Sequence, residues 1–319
     1  MGARLALSVL LGYLASPLLR GGQAASVDAA ALQPEQLKVG GSSIDVSFQP
    51  GALDLPRAAI LRWVTRAAEA VSTYYGRFPL PNTRLRIFPA EGRKGVFHGT
   101  TYGYRGGYTR ISVGQHTTQE QLDTDWMLTH EFTHLAFPDV PDKHHWIEEG
   151  LATYVEPIAR AQAGQISPSK VWGDLVRGLP QGEPEGGDRG LDNTHTWGRT
   201  YWGGALFLLE ADVKIRECSH NRKGLQDALR AILDAGGSIT TEWPLVRALK
   251  VGDEATGCTV LMDLYQQMKD TPVQVDLPAL WRQLGIREEG RGVSFDDHAP
   301  LADIRKAITG PQSKTSPAL

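Results

Sequence analysis

Hydrophobic and polar positions change their period partway along the chain. In "SSIDVSFQPG" (residues 42–51), Ile44, Val46 and Phe48 stand two apart, as in a half-buried strand, and a Pro-Gly pair closes the run. Asp54 and Pro56 then mark a helix start, and Ile60, Val64, Ala68 and Val71 recur at helical spacing. "TRLRIFPA" (residues 83–90) alternates again. A glycine- and tyrosine-rich stretch follows, "HGTTYGYRGGYTRISVGQ" (residues 98–115), whose end "YTRISV" has strand character. The first third therefore predicts a small mixed sheet with one helix.

From residue 117 onward the helical period dominates. "TTQE" offers a capping box, Thr117 with Glu120, opening a helix that runs through "HEFTH" (residues 130–134). "FPDVPDK" (residues 137–143) holds two prolines and is a loop. "HHWIEEGLATYVEPIARAQAG" (residues 144–164) is a second helix, interrupted or bent near Pro157. After the polar loop "GLPQGEPEGGDRG" (residues 178–190), helical patterns continue to the end of the chain. The expected class is α+β: a mixed, sheet-bearing lobe over residues 26–116, then a mainly helical part over residues 117–319.

Composition changes this picture little. With 319 residues, 41% of them hydrophobic and 22% charged, the chain can bury a sizeable core. A net charge of −3, a pI near 6.3 and scattered basic residues give no case for nucleic acid or anionic lipid as partner. Residues 1–25 read as a secretory signal: "MGAR" is charged, "LALSVLLGYLASPLL" apolar, and "GGQAAS" small, with cleavage near Ala24 or Ala25. An uncleaved anchor is the other reading of that run; no other segment suits a bilayer, so no stable membrane insertion is expected after signal removal. A secreted or periplasmic chain meets an oxidising compartment, which makes Cys218 and Cys258 either a disulfide or two unpaired thiols.

The chemistry concentrates in "HEFTH". Residues four apart on a helix rise about 6 Å and point the same way, so His130 and His134 can present imidazole nitrogens to one ion. Zinc takes such ligands at about 2.0–2.2 Å and, in catalytic sites, leaves one position open. Glu131 stands where its carboxylate reaches that position without binding the metal. Leu128, Phe132 and Leu135 form an apolar stripe on another face. A third ligand is available from "HHWIEEGLATYVE" if the proline loop reverses the chain. Glu149 is preferred over Glu148 because Glu149, Thr153 and Glu156 share a helical face, and Glu156 would then hold a ligand histidine by its other nitrogen. One zinc ion per chain is expected.

"HEFTH" followed by "WIEEGLATYVE" resembles the gluzincin metallopeptidases, which pair HExxH with a glutamate in W-x-x-E-G-x-A-x-Y. The glutamate before the glycine is the third zinc ligand there, which maps onto Glu149. "TYWGGALFLLEADVKIRE" resembles the Y-x-K-G-A helix of aminopeptidase-N-like and glycyl-aminopeptidase-like enzymes, whose tyrosine stabilises the oxyanion and maps onto Tyr201. The resemblance covers roughly residues 105–235 and implies a thermolysin-like zincin fold. It also implies hydrolysis of a peptide or protein substrate by a zinc-activated water, with Glu131 as general base.

The chain departs from that family in three places. Only 14 residues separate His134 from Glu149, and Gly203 stands where lysine is frequent. The expected substrate strand, "GGYTRISVG", with Arg105 just before it, offers Arg110 but no acid to hold a free amino terminus, so aminopeptidase specificity is not carried over. That strand is expected at a sheet edge, where Gly107, Tyr108 and Ile111 would pair with an extended peptide. The metzincin pattern is excluded, since Phe137 and Val140 stand where it needs glycine and histidine. His144 and His145 are expected to cap or support the second helix, and His98 and His195 to lie in loops or on the surface. The rival readings are a metallopeptidase-like binding protein of the cell envelope without turnover, and zinc hydrolysis of a non-peptide bond.

Overall fold

In the computed structural model, which describes residues 34–290 and 292–311, the alternating stretches form a five-stranded sheet. Its strands are β1 (Glu35–Val39), β2 (Ser42–Phe48), β3 (Asn82–Ala90), β4 (Val96–Tyr102) and β5 (Tyr108–Gly114), in the order β1-β2-β3-β5-β4. β2, β3 and β5 are mutually parallel, while β1 and β4 run antiparallel to their neighbours. A parallel β2–β3 pair needs a crossover, and α1 (Arg57–Tyr75) supplies it. One sheet face and α1 share the core: Ile44, Val46, Leu85, Ile87, Ile111 and Val113 join Ile60, Val64, Ala68 and Val71, all fully buried. The other face carries Arg84 and Arg86 over the Tyr108 ring and Arg110 over Phe88. The signal reading of residues 1–25 lies outside the described residues.

The topology corrects one expectation. β5, the "GGYTRISVG" strand, lies between β3 and β4 and is hydrogen-bonded on both sides. Gly107, Tyr108 and Ile111 therefore have no free backbone edge to offer. Ile111 is core, Tyr108 stacks on Tyr102, and Gly107 abuts Leu80. The strand at this end of the sheet is β4. Alternation alone does not distinguish an inner strand from an outer one when both have one solvated face.

The helix predicted from residue 117 divides in two. The capping box falls one residue later, with Thr118 Oγ1 accepting from Gln121 N while Gln121 Oε1 accepts from Thr118 N. The resulting α2 (Gln119–Asp123) stops, and Asp125 starts α3 (Met127–His134) by accepting from the backbone N–H groups of Met127 and Leu128, both at 3.2 Å. The indole of Trp63 on α1 donates to the same carboxylate at 3.0 Å. α4 (His145–Gln162) runs unbroken through Pro157. A proline inside a helix costs about 3 kcal/mol, and burial of Trp146, Ile147, Leu151, Tyr154, Val155 and Ile158 on this central helix offsets it.

Behind α4 lie α5 (Pro168–Gly178), a π-helical turn (Arg199–Gly203), α6 (Gly204–Cys218), α7 (Leu225–Asp234), α8 (Leu245–Thr256), α9 (Val260–Met268), α10 (Leu277–Leu284) and α11 (Ala302–Thr309). A short hairpin, β6 (Ile286–Glu289) with β7 (Gly292–Phe295), interrupts what the sequence reads as helices throughout. Asp212 on α6 accepts from Tyr154 Oη on α4 (3.1 Å), Arg216 Nε (2.8 Å) and Leu225 N on α7 (3.0 Å), which ties the three helices together. Cys218 and Cys258 form a disulfide, so the end of α6 is fastened to the segment after α8. Among the described residues, no helix is long and apolar enough to cross a membrane.

Candidate active site

Because α3 begins at the Asp125 cap, its phase fixes the side chains that follow. Leu128 and Phe132 enter the core, while His130, Glu131 and His134 face α4 and β4. His130 Nε2 lies 3.3 Å and His134 Nε2 3.6 Å from the same atom, Glu149 Oε2. All three ligand atoms lie within 4.8 Å of one another. Ligands held about 2.0–2.1 Å from a tetrahedral zinc stand about 3.3–3.4 Å apart, and the two imidazole–carboxylate distances lie close to that spacing. Glu148 points elsewhere: its Oε1 accepts from Val140 N at 3.3 Å and its Oε2 lies 3.0 Å from His145 Nδ1.

Glu149 arrives at the imidazoles because α4 and α6 touch at their backbones. A Cβ on Gly150 would stand 2.3 Å from Gly204 Cα and 2.4 Å from its carbonyl carbon. The glycine after the ligand is thus required by close approach. The same contact positions the π-helical turn just before Gly204, where the Tyr201 ring stacks 6.3 Å from that of His130 and its hydroxyl lies within the influence of the Glu149 carboxylate.

Glu131 is fixed by β4. Thr101 Oγ1 donates to Glu131 Oε2 at 2.7 Å, and Thr109 Oγ1 on β5 stands 3.0 Å behind it. Gly99 lies directly under the carboxylate; a Cβ there would be 2.4 Å from Oε1. To bring Gly99 so close, β4 bulges between Phe97 and Thr100, with His98 at φ 52°. Gly99 and Thr101 have no signal in the sequence beyond a glycine amid threonines.

Electrostatics separate these groups. Burial pushes the Glu131 carboxyl up to about 7, against the His130 charge and the Thr101 hydrogen bond. Burial also pushes His134 down to about 4. For Glu149 burial acts upward, but His134, His130 and His145 outweigh it and hold the carboxyl at about 2. In His130, burial opposes the charged form while Glu149, Glu131 and Glu156 favour it, and the net shift is upward. Burial, then Glu149, raises Tyr201 above the usual phenol range, so its hydroxyl keeps its proton as a donor.

Glu156 is placed differently from the sequence expectation. Its Oε1 accepts from Arg160 Nη1, one turn further along α4, at 2.7 Å. Arg160 satisfies the carboxylate, and Glu156 reaches His130 through its charge alone among the described contacts. His144 does support α4: its Nδ1 lies 2.8 Å from Asp192 Oδ1, which Trp146 Nε1 also approaches at 2.8 Å, while Tyr265 Oη donates to Oδ2 at 2.8 Å. His145 stands nearer the site than a cap would, its Nε2 3.4 Å from Glu149 Oε1. His98 and His195 are exposed, as expected.

The mixed sheet, the helix carrying the imidazole pair and the second helix returning a carboxylate make an α+β architecture that has solved structural neighbours. The chain is similar in structure to an aminopeptidase N family protein from Idiomarina loihiensis, with a TM-score of 0.58 and 13% identity over 80% of this chain and 49% of that one. An M1 zinc metallopeptidase from Deinococcus radiodurans aligns with a TM-score of 0.49 and 15% identity over 76% of this chain and 52% of that one. A variant of the latter is known with a Tyr-Ser-Ala substrate bound. The chain spans about half the length of these structures. No protein-family model and no curated protein sequence matches it. At 13% identity the first of these likenesses shows the fold alone.

Proposed function

We propose that the chain is a zinc-dependent peptidase whose metal is held by His130, His134 and Glu149. The observation that carries this reading is the convergence of those three side chains with a fourth, Glu131, beside them and outside the ligand set. A purely structural metal site has no use for that fourth group. Zinc bound there would supply Lewis acidity to a scissile carbonyl and acidity to a water molecule.

The remaining work falls to the chain's own residues. Thr101 occupies Glu131 Oε2, which leaves Oε1 to take a proton from water and return it to the leaving amine. Tyr201 donates its hydroxyl proton to the oxygen on which charge develops, a contact of a kind worth about 3–4 kcal/mol. The backbone edge of β4, which runs past Glu131, receives the peptide in extended form in place of the β5 residues read from sequence. Export through the N-terminal leader is part of this reading, and the Cys218–Cys258 disulfide supports an oxidising destination.

Purified protein is expected to bind about one equivalent of zinc and to cleave peptides in a chelator-sensitive manner. Glu131→Gln should keep the metal while lowering kcat by about 10²–10⁴-fold. Full activity in that variant would sink the mechanism; zinc binding without turnover in the wild type would sink the peptidase assignment.

A further inference from the structure

Four large hydrophobic side chains among the described residues stand a third or more exposed, and two of them border the metal site. Trp126 is 50% exposed and its ring lies edge-on to His130 at 5.5 Å. Trp197 is 61% exposed and stacks on Tyr201 at 5.6 Å, and Tyr201 in turn stacks on His130. Trp126, His130, Tyr201 and Trp197 thus make a run of four rings, with a metal ligand inside it and an indole open to solvent at each end.

Both indoles are carried on fixed backbone. Trp126 follows the Asp125 cap, and its carbonyl accepts from His130 N at 3.1 Å. Trp197 sits in a turn closed by Thr196, whose carbonyl accepts from Thr200 N at 2.9 Å and whose Oγ1 accepts from Arg199 N at 3.3 Å. Rings already held in place lose little freedom when a ligand covers them, so contact area is converted efficiently into affinity. The carboxylates nearby already have partners: Glu131 has Thr101, Glu149 the imidazoles, Glu148 His145 and Val140 N, and Glu156 Arg160. Each is thus committed to a partner within the chain, and Glu131 Oε1 faces the reacting water rather than a charged group of a substrate.

We infer that Trp126, Tyr201 and Trp197 form the subsite that selects the substrate, by taking a large apolar side chain, aromatic above all, next to the scissile bond. This specificity rests on the peptidase reading and adds to it the class of peptide that is cut.

The test uses quenched fluorescent peptides that differ only in one residue flanking the bond, with Phe, Leu, Ala, Glu or Lys placed in turn on either side. At one of the two positions the wild type should prefer Phe over Ala by tenfold or more in kcat/KM, within the range apolar pockets reach. Trp197→Ala should lower that ratio about tenfold, mainly through KM, with zinc content unchanged, and Trp197→Phe should restore most of it. A wild type indifferent to Phe and Ala, or a ratio unmoved in Trp197→Ala, overturns the subsite. Anisotropy of labelled Phe and Ala peptides on Glu131→Gln, with and without Trp197→Ala, reads the same ratio without turnover. A chain that cleaves nothing but still binds the Phe peptide through Trp197 therefore refutes the peptidase reading and keeps the subsite; equal binding of both peptides refutes the subsite.

Discussion

Gly150→Ala isolates the contact that brings Glu149 and Tyr201 together. In a helix without neighbours the change should stabilise by about 1 kcal/mol, because alanine is the better helix former. Here the new Cβ would stand 2.3 Å from Gly204 Cα, 2.4 Å from its carbonyl carbon and 2.8 Å from Ala205 N. All three are backbone atoms and cannot rotate away. Carbon atoms pack at about 3.5–4.0 Å, so α4 and the start of α6 must part by roughly 1 Å. The surrounding Ile147, Leu151, Ala205 and Leu208 are buried, so the gap opens inside the core. The upper end of the overpacking range, about 3 kcal/mol, applies when no side chain can yield. After the propensity gain, a net loss of about 2 kcal/mol remains.

Urea unfolding of the metal-free variant reads that loss as a lower midpoint at constant slope. Two functional readouts go with it. Glu149 precedes the substituted residue and Tyr201 lies three before Gly204, so a separation of roughly 1 Å should weaken zinc binding and lower kcat/KM by about 100-fold. Gly204→Ala, whose Cβ would meet the Trp146 carbonyl oxygen at 2.1 Å, should behave in the same way. A Gly150→Ala protein more stable than wild type, with zinc affinity and kcat/KM intact, would refute the view that this backbone contact sets the site.

Three further outcomes follow from other parts of the molecule. Gly99→Ala would drive a Cβ against Glu131 Oε1, so kcat/KM should fall about 100-fold while zinc content stays whole, and a normal rate would show that β4 does not press on Glu131. Reduction of Cys218–Cys258, which closes a loop with a sequence separation of 40, should cost about 4 kcal/mol by the chain-entropy argument; a thermal midpoint indifferent to reductant would contradict it. Asp192, which burial pushes up but His144, Trp146 and Tyr265 hold below the usual carboxylate range, should stabilise the fold fully above about pH 4 and progressively less as pH falls through its lowered value. Asp192→Asn should lose about 1.5–3 kcal/mol at neutral pH and unfold in acid with a shallower pH dependence, and identical acid curves would exclude the role.

The parts of the site legible in the sequence are those set by local geometry. His130 and His134 need only one helical turn, and Glu149 needs only a reversal at the proline loop and the phase of the next helix. Tyr201 was reached through the resemblance of its helix and stands beside the ligands. What was not legible is set by pairing between distant strands. Thr101 and Gly99 meet Glu131 from some 30 residues upstream, through a register that no periodicity encodes. For the same reason the sequence suggests β5 as the outer strand although β4 lies outside it. Glu156 shows a different gap, since helical phase does not reveal its partner one turn on, Arg160.

The missing strand and the placement of Glu131 have one cause. "VFHGTTY" does not alternate because a residue is inserted between Phe97 and Thr100, so a reading by period alone finds no strand there. A regular β4 would put a side chain where the Glu131 carboxylate lies. The bulge instead turns Gly99 to the carboxylate and returns Thr101 to the inward face, two residues on, as its hydrogen-bond donor. The irregularity that hides the strand from the sequence is therefore what lets it reach the Glu131 carboxylate.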